Sequence, residues 1–294
     1  MASKWWRWQQ RSAPYVFISP FFILFMVFLL YPFLYSFYLS LVEWNGGKTK
    51  TFVGLDNYVR LFQDDVFWLS ILNGGIIMLL YVPLMLLIAT LVAVLLNQAW
   101  VKGKGFFRMA FFTPNIMAVV AVSFVFTILL NSENGLVNVI LTKLGIIAQP
   151  IQWLDSAWWA RVSVAAMVMY RWMGYNMILI LAGLQNIPKE VYESAYMDGA
   201  SPFQSFTRIT LPLLKKILVF CLVLSTLGSY GLFVEPFILT KGGPVNSTMT
   251  PVLLVYQESF RNLNFGYASA IAVMFFFLMM TLTFIQLRVS RDKD

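Results

Sequence analysis

The sequence predicts an all-α membrane protein with six transmembrane helices. Hydrophobic residues make up 60% of the 294 residues and charged residues only 12%, whereas a soluble domain carries about 25% charged residues. The mean hydropathy is +0.74. Six apolar runs are long enough to cross about 30 Å of hydrocarbon as helices rather than as barrel strands. They lie at residues 15–41, 70–97, 105–130, 158–184, 213–239 and 265–287.

The first apolar run follows a basic segment, 1–14, that contains Trp5, Trp6 and Trp8. Tryptophan is enriched at membrane interfaces, so we expect this segment to be an interfacial anchor. The run at 15–41 is longer than a signal-peptide core and has no small-residue cleavage site, which predicts a retained span. The expected organisation is a cytoplasmic segment 1–14, a membrane domain 15–290 and a cytoplasmic tail 291–294.

The distribution of basic residues predicts the orientation. With the N-terminus inside, thirteen of the 21 Lys and Arg residues lie in inner segments and seven lie in outer segments or at an outer helix end. Cytoplasmic loops carry an excess of Lys and Arg. Both termini are therefore expected in the cytoplasm. The remaining basic residue, Arg171, lies inside the fourth span.

Composition argues against several function classes. The single cysteine, Cys221, and the absence of histidine disfavour zinc sites, Cys/His nucleophiles and histidine proton relays. Basic residues gather at helix ends rather than in a stripe, which disfavours nucleic-acid binding. An intramembrane enzyme needs a cluster of acids or histidines, and none is visible. A stand-alone secondary transporter needs inverted repeats and carboxylates within spans, for which Glu235 is the one candidate.

The segment between the fourth and fifth spans, 185–212, has the signals of a helix–turn–helix. Pro188 suits the start of a short helix, and Gly199 suits its end in a left-handed conformation. Ser201 followed by Pro202 is typical of the cap and first turn of a second helix. Pro212 is expected to close the loop before the fifth span. A merely solvated connector is the alternative interpretation.

This loop carries a family resemblance. Glu193-x-Ala195-x3-Gly199-x9-Ile209-x-Leu211-Pro212 resembles the EAA motif of the membrane subunits of binding-protein-dependent ABC importers, with Ser194 where alanine is usual. Segments 52–58, 135–138 and 181–188 are similar to the sugar-permease branch of this family. Segments 239–244 and 265–268 resemble the first of the two permeases in maltose-, lactose- and glycerol-phosphate-type carbohydrate systems. Together the similar segments cover about 15–290.

The resemblance implies a type I ABC importer permease fold and a role in transport. The first short helix of the loop would dock as a coupling helix on a cytoplasmic ATPase subunit. The implied coupling residues are Glu193, Ser194, Ala195, Asp198, Gly199 and Ala200. The chain has no Gly-x4-Gly-Lys-Ser/Thr phosphate loop, so we expect no catalytic residue, no metal site and no cofactor in it. ATP and Mg²⁺ would be bound by two partner ATPase subunits. A second permease, an extracytoplasmic solute-binding protein and the lipid bilayer complete the implied partners.

Polar residues within the fourth and fifth spans are candidates for the substrate pathway. Such residues are costly in a membrane and are therefore candidates for function. Arg171 and Tyr175 share a helix face. Most of the predicted residues also match, through the resemblance, the sugar cavity of the maltose-type member. The predicted pathway consists of Arg171, Trp172, Tyr175, Asn176, Ser225, Gly228, Ser229 and Tyr230.

Because of Arg171, the sequence does not decide whether the substrate is neutral or anionic. A guanidinium binds carboxylate or phosphate in a forked geometry, so it is compatible with an acidic saccharide or glycerol phosphate as well as a neutral sugar. The alternative is a structural role for Arg171, either in an internal ion pair, for which Glu235 is a candidate partner, or in a helix-packing bond to the backbone.

The outer loop between the fifth and sixth spans contains Gly242, Gly243 and Pro244. These residues predict a tight turn. The resemblance implies that the turn faces the solute-binding protein, and a plain turn is the other interpretation.

Overall fold

The computed structural model describes the backbone of residues 4–290 and the side chains of residues 12–290. The predicted tryptophan anchor, Trp5, Trp6 and Trp8, and the predicted tail, 291–294, lie outside the described side chains. Fourteen α-helices and one β-hairpin form within the described chain. The helices are α1 Lys4–Phe25, α2 Tyr31–Leu39, α3 Asp56–Phe62, α4 Asp65–Asn97, α5 Lys104–Ile116, α6 Val119–Leu129, α7 Leu136–Lys143, α8 Ala157–Gln185, α9 Lys189–Met197, α10 Pro202–Ser205, α11 Leu211–Tyr230, α12 Val234–Leu239, α13 Pro251–Tyr256 and α14 Phe265–Ser290. The strands are β1 Val42–Glu43 and β2 Thr51–Phe52, and π-helical turns lie at Met26–Leu30, Phe206–Thr210 and Gln257–Arg261.

Five helical segments of the described chain are long and apolar enough to cross a membrane. They are Ser12–Leu39, Asp65–Asn97, Ala157–Gln185, Pro202–Leu239 and Phe265–Ser290. A sixth crossing results if α5 and α6 together count as one span. The predicted all-α membrane architecture is thereby confirmed.

The third predicted span, 105–130, is not one straight helix. It is divided into α5 and α6, whose axes differ by 93°. Pro114 lies in the last turn of α5 and cannot donate a backbone hydrogen bond to the preceding turn. Met117 and Ala118 then adopt extended backbone, with ψ of 146° and 119°, so the chain turns sharply there. Because the apolar run continues through the bend, the length of the run does not reveal that the helix is broken there.

The fifth predicted span begins earlier than expected. Pro212 does not close the preceding loop, because α10, a π-helical turn and α11 form a continuous helical segment from Pro202. Pro212 directly follows the π turn at Phe206–Thr210, and a local π adjustment is one way in which a membrane helix tolerates an interior proline. Beyond Tyr230 the helix is interrupted at 231–233 before α12.

One compact unit comprises residues 1–63 and 255–274. Its hairpin pairs β1 with β2 in antiparallel register, with Val42 opposite Phe52. The buried amide of Asn57 donates to the carbonyls of Ser40 and Val42 at 2.9 and 3.0 Å. The N–H of Phe265 donates to the carbonyl of Trp44 at 2.9 Å. These bonds attach the hairpin to α3 and to the start of α14.

The second compact unit comprises residues 64–254 and 275–294. Its helix α4 starts at the cap Asp64, whose carboxylate accepts from the N–H of Val66 at 2.8 Å. Helix α4 packs along α8, α11 packs on both of these helices, and α5 packs on α8. Two apolar clusters fill these contacts, centred on Met85 and Met167 and on Ile180 and Leu214. The unit therefore has a core of its own that holds α4, α8 and α11 together.

Candidate substrate cavity and coupling loop

A cavity of about 190 Å³ lies between α4, α8 and α11. It is lined by Tyr81, Trp172, Tyr175, Asn176, Leu224, Ser225 and Gly228. Five of the eight predicted pathway residues are therefore brought together there. Tyr81 and Leu224 also line the cavity, and neither was among the predicted residues. Tyr81 could have been predicted, because a polar hydroxyl in the middle of an apolar span is unusual. Leu224 could not, because it does not differ from the other leucines of its span.

The lining combines aromatic rings with polar groups. The rings of Trp172 and Tyr175 meet edge to face, with centroids 5.6 Å apart. The Asn176 amide donates to the carbonyl of Trp172 at 3.0 Å, which leaves its oxygen as an acceptor. Aromatic rings with a few fixed polar groups are the usual composition of small-molecule sites, and they suit a ligand with apolar faces and polar edges.

Ser229 and Tyr230 have structural partners beside the cavity instead of lining it. The hydroxyls of Ser229 and Tyr81 lie 2.8 Å apart, and Ser229 also donates to the carbonyl of Ser225 at 2.7 Å. Tyr230 packs against α4, where a Cβ atom on Gly74 would lie 2.6 Å from its ring. Both residues therefore hold α11 against α4.

Arg171 also lies outside the lining, because it is paired. Its Nη1 lies 2.7 Å from Oε1 of Glu235, and the two side chains are only 12% and 6% exposed. The alternative interpretation, an internal ion pair with Glu235, is thus the geometry that the structure shows. The pair joins α8 to α12.

The outer turn at Gly242, Gly243 and Pro244 belongs to a tightly held loop. Gly242 is buried, with a φ of +88°. The exposed residues of the loop are instead Lys241 and Val245, and Val245 is 89% exposed. It has a φ of +48°, which is unusual for a β-branched residue. Of the three residues predicted to face a binding protein, Gly243 and Pro244 are half-buried.

Asn73 and Arg161 hold this loop from α4 and α8. The buried amide of Asn73 donates to the carbonyls of Asn246 and Met249 at 2.7 and 3.0 Å. Its oxygen accepts from Nε and Nη2 of Arg161 at 3.1 and 2.9 Å, and Nε also donates to the carbonyl of Ser247 at 3.0 Å. No pattern in the sequence around Asn73 indicates that this residue holds the outer loop.

The predicted coupling loop forms the expected helix–turn–helix. Helix α9 ends at Met197, and Gly199 adopts a φ of +76°, which only glycine adopts without strain. The N–H of Ala200 bonds to the carbonyl of Ala195 at 2.9 Å. Ser201 caps α10 in a reciprocal capping box with Gln204, as its sequence position predicts. Pro188 lies one residue earlier than a first-turn position, at the cap of α9.

The six predicted coupling residues lie on one short stretch of the chain, and four of them are exposed. Ala195 is buried and Ala200 is half-buried, whereas Glu193, Ser194, Asp198 and Gly199 are exposed. Tyr196, Met197 and Phe203 are also 79%, 83% and 75% exposed. The hydroxyl of Tyr192 lies 3.1 Å from that of Thr210 and connects α9 to the π turn before α11. Charged and large apolar side chains exposed together are typical of a protein-docking surface.

The family of the chain follows from its sequence. Residues 67–293 match the family of binding-protein-dependent transport system inner membrane components. The chain belongs to this family. The resemblance predicted from the EAA motif is confirmed, and the permease is a multi-pass inner membrane subunit of an ABC transport system.

Several characterised permeases are similar to it over nearly their whole length. The lactose transport system permease protein LacF of Rhizobium radiobacter is 38% identical over 282 residues, which cover 95% of this chain and 94% of that protein. The arabinooligosaccharides transport system permease protein AraP of Bacillus subtilis is 33% identical, with coverage of 97% and 91%. The sulfoquinovosyl glycerol transport system permease protein SmoG of Agrobacterium fabrum is 32% identical, with coverage of 99% and 95%.

A solved structure shares the fold. A chain of a bacterial ABC transporter involved in the import of the acidic polysaccharide alginate superimposes with a TM-score of 0.82 and 23% sequence identity. The match covers 98% of the permease and 99% of that chain. The predicted ABC importer permease fold is therefore confirmed.

Proposed function

We propose that the permease imports a sugar or oligosaccharide in an ATP-driven complex. The observation that carries the proposal is the cavity between α4, α8 and α11, whose lining offers aromatic rings, hydroxyls and an amide. Hydroxyl-rich ligands with apolar ring faces match this lining. The names of the relatives, which specify lactose and arabinooligosaccharides, support the same substrate class.

The proposed partners are a second permease, two ATPase subunits that bind ATP and Mg²⁺, and an extracytoplasmic solute-binding protein. The solved relative in complex with an alginate pentasaccharide-bound periplasmic protein supports the last of these. The exposed surface of α9, with Glu193 and Asp198, is the proposed contact with an ATPase. The predicted orientation, with both termini in the cytoplasm, places α9 on the required side of the membrane.

Affinity purification from native membranes in mild detergent tests the assembly. We expect mass spectrometry to identify an ATPase with a phosphate loop and a second six-span subunit with the permease. Recovery of this chain alone from several detergents would contradict the proposal and favour a stand-alone transporter. Uptake of labelled sugars by the reconstituted complex then tests the substrate class.

The coupling loop leads to a prediction for transport. Glu193→Ala removes an exposed charge from the proposed contact, and Gly199→Asp adds a charged side chain to the turn after α9, where the φ of +76° favours glycine. We expect both variants to insert normally into the membrane and to lose most ATP-dependent sugar uptake. Membrane fractionation and uptake in vesicles measure the two properties.

Gly103→Asp is the matched control, since Gly103 has a φ of +69° and also lies in a predicted inner loop, but outside α9. It introduces the same side chain and similar strain. If Gly103→Asp reduces uptake as much as Gly199→Asp, general backbone strain explains the loss. Normal uptake by both α9 variants would show that this helix is not the ATPase contact.

The cavity leads to a second prediction. Among the described residues, a Cβ atom built on Gly228 meets open space, and Gly228 lines the cavity, so we expect the side chain of Gly228→Leu to extend into the cavity. We expect sugar uptake to fall about tenfold or more, the effect that a few methylenes have in a binding pocket. Thermal stability in detergent should stay unchanged. Gly105→Leu, which adds the same side chain to α5 in open space, should leave uptake near normal.

A glycerol phosphate or an acidic saccharide is the second candidate cargo. The name of the relative SmoG specifies sulfoquinovosyl glycerol, a sulfonated solute, and favours testing anionic compounds. Competition of neutral and anionic sugars for uptake by the reconstituted complex distinguishes the two candidates.

A further inference from the structure

A paired arginine adjoins two lining residues of the cavity along α8. Arg171 precedes the lining residue Trp172 and lies one helical turn before the lining residue Tyr175. Its guanidinium lies 2.7 Å from the Glu235 carboxylate in a nearly solvent-free position. The positive charge nearest to the proposed substrate along α8 is thus compensated by a residue of α12.

The cavity itself carries no charge. None of its seven described lining residues is Asp, Glu, Lys or Arg. An unpaired guanidinium beside such a site would attract carboxylate, sulfonate or phosphate groups strongly, because it offers forked hydrogen bonds in surroundings of low dielectric. The pairing with Glu235 therefore decides whether the site has a net positive charge.

We infer that Glu235 sets the charge selectivity of the permease: by neutralising Arg171, it adapts the cavity to uncharged saccharides and disfavours anionic ones. This inference rests on the proposed function and narrows its substrate class. Glu235 acts through Arg171 and does not line the cavity. It is therefore a positioning and charge-compensating residue.

Two further observations agree with this role. A buried ion pair adds little net stability compared with apolar residues of similar volume, so packing alone gives no reason for the two charges. In addition, Nε of Arg171 is buried and has no hydrogen-bond partner among the described residues. Part of the guanidinium's donor capacity is therefore still unused, and loss of the Glu235 charge would release Nη1 as well.

The test compares two probes that differ in one group. Galactose carries a hydroxymethyl group at the position where galacturonate carries a carboxylate. Their affinities for the purified transporter complex, without binding protein, are measured by equilibrium dialysis of the labelled sugars. We expect the native complex to bind galactose more tightly than galacturonate.

The Glu235→Gln variant keeps the shape of the side chain and removes its charge. We expect it to raise the affinity for galacturonate relative to galactose at least about tenfold, which corresponds to about 1.4 kcal/mol. An unchanged ratio, or a native complex that prefers galacturonate, would overturn the inference.

If Glu235→Gln fails to fold, the double variant Arg171→Met/Glu235→Leu provides a second way to test the inference. It removes both charges and replaces the pair with apolar side chains, a type of exchange that is often tolerated. We expect it to retain the native preference for galactose. A shift toward galacturonate in this variant would show that Arg171 is not the source of anion affinity and would overturn the inference.

The outcomes separate the inference from the proposed function. A native complex that binds galactose, with a ratio that does not respond to Glu235→Gln, contradicts only the role of Glu235. A native complex that binds neither these sugars nor lactose contradicts the proposed sugar site, and the inference with it.

Discussion

Gly174→Ala is expected to destabilise the permease by opening the contact between α5 and α8. A Cβ atom at Gly174 would overlap the backbone carbonyl of Phe111 on α5. Because backbone atoms cannot move aside as a flexible side chain does, α5 and α8 must separate. Overpacking of this kind costs about 1–3 kcal/mol, and we expect a value near 3 kcal/mol. Thermal unfolding in detergent, followed by size-exclusion chromatography, measures the loss.

Gly105→Ala provides the matched control for this prediction. Gly105 also lies in a helix, α5, but none of the described residues comes within 4 Å of a Cβ built on it. Alanine is the better helix former by about 1 kcal/mol, so the control should be neutral or slightly stabilising. Equal losses of stability in the two variants would contradict the close approach of α5 to α8.

Arg161→Met is expected to release the outer loop at 240–250. The change leaves the Asn73 oxygen and the Ser247 carbonyl without the donors they now have. Each buried polar group that loses its partner costs about 1–3 kcal/mol, so we expect a loss of about 3 kcal/mol in total. Faster proteolysis or hydrogen exchange within 240–250 should accompany the lower unfolding temperature.

Two further variants make the prediction specific. Arg161→Lys keeps the charge but lacks the planar fork, so it should recover only part of the stability. Arg208→Met removes an exposed arginine of the π turn, and surface changes are usually within about 0.5 kcal/mol. A loss for Arg161→Met no larger than that for Arg208→Met would show that the hydrogen bonds to Asn73 do not hold the loop.

Features set by short-range signals were predictable from the sequence. Hydropathy predicts the spans, and capping chemistry predicts the turn at Gly199 and the cap at Ser201, because each depends on residues only a few positions apart. The bend between α5 and α6 was not predictable from run length, because the chain stays apolar through it and only its backbone conformation changes.

The candidate cavity was predictable only in part, because it depends on contacts far apart in the sequence. Trp172, Tyr175 and Ser225 are polar or aromatic residues within apolar runs, which marks them without a structure. Whether a side chain turns toward the cavity or toward a neighbouring helix depends on how the helices pack. Ser229 and Tyr81 illustrate this: Ser229 was predicted to line the pathway but bonds to Tyr81, and Tyr81 lines the cavity.

The uninterrupted helix from Pro202 to Tyr230 has a mechanical consequence. One end adjoins the turn after α9, and the other contributes Ser225 and Gly228 to the cavity wall. At 1.5 Å per residue, Ser225 lies about 35 Å along this rod from Pro202, so a tilt of about 5° about that end displaces it by about 3 Å. That displacement is as long as a hydrogen bond. A tilt too small to disturb the helix itself is therefore large enough to separate Ser225 from Tyr81 across the cavity.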